Sequence, residues 1–145
     1  MAIQWEKILV ATDLSKESNN SVDYAHNLAE TLGAELHVLH VVEDISQMAQ
    51  QYGVTGVIEP GQPQSAYDQW LAGLLGETGK IRRVEVVRLG DDPVDVITNY
   101  AKSNEISLIV IATHGRTGLR EIIMGSVAQG VVKYAPCPVL VIRAS

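Results

Sequence analysis

Apolar residues fall in short unbroken runs along this chain, each ending in polar or glycine-rich sequence. The runs are Lys7-Ile-Leu-Val-Ala-Thr-Asp13, Glu35 to Val42, Arg82 to Leu89, Leu108 to Thr113 and Val139 to Arg143. The first run predicts a buried strand of a parallel sheet, and Arg82 to Leu89 a strand that alternates at Val84, Val86 and, less cleanly, Val87. Between them the spacing changes. Val22, Ala25, Leu28, Ala29 and Leu32 recur at helical intervals, predicting a helix over about Ser18 to Leu32 with Gly33 as its C-cap. Gly90-Asp91-Asp92-Pro93 predicts a turn into a helix capped by aspartate, with proline in its first position. Its apolar face is Val94, Val96, Ile97, Tyr100 and Ala101. Ser126 to Tyr134 predicts another helix, stopped by Pro136 and Pro138.

The stretch between strands two and three is less regular. Glu43 to Gln64 is polar and carries Gly53, Gly56, Pro60, Gly61 and Pro63. It is too long for an ordinary connection and reads as a mobile segment or a lid. Ser65 to Thr78 reads as a helix, although Gly73 and Gly76 each weaken it by about 1 kcal/mol.

Strands alternating with helices define an α/β protein: a single open five-stranded parallel sheet with helices on both faces, Rossmann-like, in one domain spanning residues 1–145. Right-handed crossovers allow the C-terminal ends of strands one and four to meet where the strand order reverses. Open α/β sheets bind ligands there. Asp13 ends the first strand, and the loop carrying Gly115 and Gly118 follows the fourth. Gly125-Ser126 then opens a helix. Strand, glycine loop and helix N-terminus together make a phosphate cradle, because glycine admits close approach and the first helical N–H groups point at the anion.

Composition narrows the field. A domain of 145 residues, 46% hydrophobic, buries enough surface to fold without covalent staples. The single cysteine, Cys137, rules out an internal disulfide, and between two prolines it reads as a small buried filler rather than a nucleophile. No segment approaches the roughly 20 apolar residues of a membrane span, and the N-terminus lacks an apolar run with a basic flank. A cytoplasmic protein is expected. The net charge of −6 argues against a nucleic-acid partner, since Arg82-Arg83 and Arg116/Arg120 are too sparse for a basic stripe. His26, His37 and His40 lack ligand spacing, so no metal site is expected from them.

Several nucleotide fingerprints are missing. There is no GxxxxGK[ST] loop, no GxGxxG after the first strand, and no lysine placed to reach terminal phosphates. What the chain does resemble is the universal stress protein family, in its nucleotide-binding form. Gly115, nine residues, then Gly125-Ser126 match that family's loop pattern, whose first glycine is here Ala112. Lys7 to Asp13 is similar to the family's opening strand, Ala135 to Ile142 to its closing strand, and His40-Val41 ends strand two as in that family.

The resemblance implies a Rossmann-like fold of the adenine nucleotide alpha-hydrolase type and an ATP, ADP or AMP ligand, with Mg²⁺ on the phosphates if ATP is resident. It implies that Ala11, Thr12 and Asp13 border adenine and ribose, with Asp13 accepting from a ribose hydroxyl. It puts Val41 main-chain groups on the adenine edge and Ala112 against the sugar or α-phosphate. His114, Gly115, Arg116, Gly125, Ser126 and Val127 fall at the phosphates. For Asp13 the rival role is a helix cap; its place at a strand end beside the switch point favours the ribose. Ser126 can serve as N-cap and phosphate ligand at once. His114 reads as a loop-orienting group, because no acid or nucleophile stands at motif distance.

The expected function is a stress-response switch or partner module that binds ATP and is not an enzyme. The alternatives are a nucleotide-free dimeric member and a nucleotidyl-transfer enzyme. A homodimer through the last strand is also implied by the resemblance.

Overall fold

The structure is a computed structural model, and it describes residues 4–13, 16–42, 81–113 and 124–143. The elements are β1 (Lys7–Thr12), α1 (Lys16–Leu32), β2 (Glu35–Val42), β3 (Arg83–Leu89), α2 (Pro93–Ser103), β4 (Leu108–Ala112), α3 (Ser126–Tyr134) and β5 (Val139–Ile142). The strands form a five-stranded sheet in the order β3-β2-β1-β4-β5, and every pairing is parallel. Order reverses between β1 and β4, the arrangement that right-handed crossovers allow. The expected bounds hold for β2 and α3, and differ slightly elsewhere. α1 begins at Lys16 rather than Ser18, β3 at Arg83 rather than Arg82, and β4 and β5 stop one residue earlier. The segments 43–64 and 65–78 lie outside the described residues.

Each face of the sheet has its own core. Ile8, Val10, Leu36, Val38, Leu108 and Val110 bury against Val22, Ala25 and Ala29 of α1. The alternate residues Leu9, Leu39, Ile109 and Ile111 bury against Ile97, Tyr100 and Ala101 of α2 and Ala128 and Val131 of α3. Two-sided burial is why β1 and β4 read as continuous apolar runs, whereas β3, with only Val86 buried, alternates. Val94 and Val96 of the expected α2 face are only half-buried.

Local chemistry fixes the helix ends. Asp92 Oδ1 accepts from Val94 N–H at 3.0 Å, with Pro93 first in α2. Gly33, at φ +65°, ends α1: its N–H donates to Glu30 C=O, and Ala34 N–H donates to Ala29 C=O. α2 ends in the same way, but its left-handed residue is Glu105, at φ 54°. Gly130 lets α3 close on α2: a Cβ there would lie 2.5 Å from Val94 Cγ2.

Candidate functional site

β1 and β4 are neighbours, yet their ladder is short. It pairs Ile8 with Leu108, Leu9 with Ile109 and Val10 with Val110, and stops there. On their outer sides both strands stay paired to the end, Thr12 with His40 and Ala112 with Ile142. The central strands therefore part after Val10 and Val110. The gap opens between Ala11-Thr12 and Ile111-Ala112, at the carboxyl ends of the strands and at the point where strand order reverses, which is where this class of sheet accepts ligands.

The β1 side of the gap is held firmly. Ala11 and Thr12 are buried and Asp13 is half-buried. Thr12 C=O accepts from the buried His40 ring, whose Nδ1 lies 3.0 Å away. That contact assigns the ring proton to Nδ1. Asp13 is engaged by Ser18 in the first turns of α1: Asp13 N–H donates to Ser18 Oγ at 3.3 Å, and Ser18 Oγ donates to Asp13 Oδ1. Along β2 the main-chain groups alternate in direction. Glu35 N–H donates to Glu6 on the β1 side, and Leu36 N–H to Arg82 on the β3 side. By that alternation Val41 turns its N–H and C=O toward β1, at the level where β1 has ended.

The β4 side leads directly to a helix N-terminus. Ala112 is buried and has no left-handed backbone; among the described non-glycine residues only Glu105 has positive φ. An alanine is thus unstrained at the position where the family pattern has its first glycine. Thr113 N–H donates to Ile142 C=O at 2.9 Å, and Thr113 C=O accepts from Gly125 N–H at 2.7 Å. The second bond fastens the start of α3 to the end of β4. Ser126 was expected as a possible N-cap, but that place belongs to Gly125, extended at φ −61° and ψ 162°, and Ser126 is the first helical residue. Gly125 has no side chain, and among the described residues no side chain caps α3. Its first-turn N–H groups thus have no side-chain acceptor among the described residues, in contrast to the Asp92-capped α2.

The structure thus brings Ala11, Thr12, Asp13, Val41 and Ala112 to the strand ends beside the switch point, with Gly125, Ser126 and Val127 at the helix bonded to β4. Ser126 is exposed and Val127 half-buried. His114, Gly115 and Arg116 lie outside the described residues. Sequence reasoning missed Ser18 and His40 as the groups that hold the end of β1. The Asp13–Ser18 spacing across a helix start was a usable signal for the first. Only strand register reveals the second.

The histidines His37 and His26 have structural partners. His37 and His26 contact Tyr100 and Glu30 respectively. Among the described residues no three His, Cys, Asp or Glu side chains gather as a metal site. Cys137 was expected to be buried; it is half-buried against the α2/α3 core. Burial still pushes its thiol up, against a smaller downward pull from the Ile109 main chain. That is the wrong direction for a nucleophile. No described helix is long and apolar enough to cross a membrane.

This is an open parallel α/β protein whose central strands part at its switch point. The universal stress protein family model matches residues 4–143, and the chain belongs to that family. A universal stress protein of Methanocaldococcus jannaschii is 30% identical over 152 residues, covering 96% of this chain and 82% of the relative. The solved universal stress protein UspA from Lactobacillus plantarum superposes with a TM-score of 0.73 at 26% identity, covering 98% of this chain and all of the other. The universal stress protein from Archaeoglobus fulgidus, solved in complex with dAMP, has the same fold. Its TM-score is 0.65 at 21% identity, covering 95% of this chain and 98% of the other.

Proposed function

We propose that this protein binds an adenine nucleotide, ATP, across the gap between β1 and β4, and acts as a nucleotide-dependent stress-response switch or partner module. The observation that carries this reading is the N-terminus of α3, which no described side chain caps, fastened to the end of β4 beside the parted strands. A helix N-terminus beside the strand ends of a switch point suits a phosphate. The dAMP bound by the Archaeoglobus protein supports an adenine nucleotide.

In this reading Ala11 and Thr12 border the base, Val41 meets its edge through main-chain groups, and Asp13 accepts from a ribose hydroxyl. Gly125, Ser126 and Val127 hold phosphate from α3. By the sequence pattern, His114, Gly115 and Arg116 complete the phosphate loop. Mg²⁺ on the phosphates of ATP would offset their charge in a protein whose net charge is −6. The chain works as one cytoplasmic domain and pairs with a second copy through β5. No catalytic role is assigned, because the sequence supplies neither a phosphate-reaching lysine nor a paired general base, and hydrolysis is expected to be slow.

The rival reading, a nucleotide-free dimer, rests on Ala112 in place of glycine. The ordinary strand backbone at Ala112 weakens it. Calorimetry with ATP tests the proposal. Wild type should bind, and Asp13→Ala or Gly115→Val should abolish or sharply weaken binding. No heat from wild type and no thermal stabilisation at millimolar ATP would refute it. Turnover near the median enzyme rate of about 10 s⁻¹, without a partner, would refute the non-enzymatic part.

A further inference from the structure

Asp13 is the residue on which ribose recognition is proposed to turn, and it lies just beyond the last β1–β2 pair, Thr12 with His40. Ser18 of α1 restrains it there. Ser18 is only 3% exposed, and its single hydroxyl engages Asp13 twice, accepting from the main-chain N–H at 3.3 Å and donating to Oδ1. Ser18 is in turn tied into the helix, where its C=O accepts from the buried Ser21 hydroxyl at 2.7 Å. One buried side chain therefore restrains both the main chain and the carboxylate of Asp13. A carboxylate has acceptor sites for several donors, so the Ser18 bond is compatible with a ligand hydroxyl.

We infer that Ser18 is a positioning residue for nucleotide recognition: it holds the Asp13 carboxylate in the orientation that receives the ribose. The inference rests on the nucleotide reading above. A carboxylate already restrained loses less side-chain freedom when the sugar binds, so the gain appears as affinity for the ribose hydroxyls and not for base or phosphate. A serine that served only to start α1 would have no such selectivity.

The test compares ATP with 2′,3′-dideoxy-ATP, which lacks the hydroxyls that Asp13 would receive. Isothermal calorimetry on Ser18→Ala should show ATP affinity falling about tenfold, equivalent to about 1.4 kcal/mol, while dideoxy-ATP affinity changes less than about twofold. Ser18→Thr, which keeps the hydroxyl, should restore much of the ATP affinity. Equal weakening of both nucleotides, or unchanged ATP affinity in Ser18→Ala when wild type binds, would overturn the inference and leave the nucleotide reading standing. If Ser18→Ala does not fold, Ser18→Cys preserves the side chain's size with a weaker donor and should show the same split between the nucleotides. Failure of wild type to bind ATP overturns the nucleotide reading itself, and this inference with it.

Discussion

His37 Nδ1, in β2, lies 2.6 Å from the Tyr100 hydroxyl of α2. The other ring nitrogen of His37 is 2.6 Å from Glu35 Oε1, so the phenol donates to a ring whose proton faces the carboxylate. Both rings are buried, and the Arg88 guanidinium lies 5.8 Å from the centre of the Tyr100 ring. The contact clamps α2 to the sheet.

Tyr100→Phe should therefore cost about 1–3 kcal/mol, the penalty for a buried acceptor left without its donor. Urea denaturation at neutral pH measures it. The pH dependence has a definite sign. Burial pushes the Tyr100 hydroxyl up, Arg88 pulls it down less, and Glu35 adds to the rise. Its folded pKa exceeds its unfolded value, so its contribution is complete below about pH 10 and is lost as pH climbs through the folded value. The stability gap between wild type and Tyr100→Phe should narrow above that pH. A constant gap would show that the hydroxyl does not titrate differently on folding.

At Gly130, α3 lies close against Val94 of α2. A Cβ there would meet Val94 Cγ2 at 2.5 Å and Cγ1 at 3.0 Å, against a branched and stiff side chain. Gly130→Ala gains about 1 kcal/mol in helix propensity but incurs about 1–3 kcal/mol of overpacking, so net destabilisation is expected. Adding Val94→Ala should reduce the overpacking. Chemical denaturation of the single and double variants would reveal the coupling.

In the proposed nucleotide site, Ala112 stands at the first glycine position of the loop pattern, with ordinary strand geometry. Ala112→Gly should consequently change ATP affinity by less than about tenfold, or about 1.4 kcal/mol. A gain of several hundredfold, read by calorimetry, would mean that the methyl blocks the site.

β5 is an edge strand, and all four of its residues are only half-buried. An apolar edge needs a cover, and the proposed pairing with a second copy would supply one. Val141→Lys or Val141→Pro should move the sedimentation coefficient toward a monomer. An unchanged dimer in both variants would place the interface elsewhere.

The fold was largely legible because each local signal agreed with the global arrangement. Apolar runs such as Lys7 to Thr12 specify strands buried on two faces, and Gly33, Asp92 and Pro93 mark helix ends through backbone chemistry that acts within a few residues. These effects need only near neighbours, so sequence displays them. The sequence also placed Asp13 and Gly125-Ser126 at strand and helix ends. Tertiary structure decided what those ends do together. The parting of β1 and β4 after Val10 and Val110, the Thr113–Gly125 bond and the His40–Thr12 contact depend on register between segments distant in the chain. Spacing along one segment carries no record of register. The same reason hid the roles of His37 and Tyr100, 63 residues apart: each is an ordinary residue of its own element, and the pair exists only once α2 lies on the sheet.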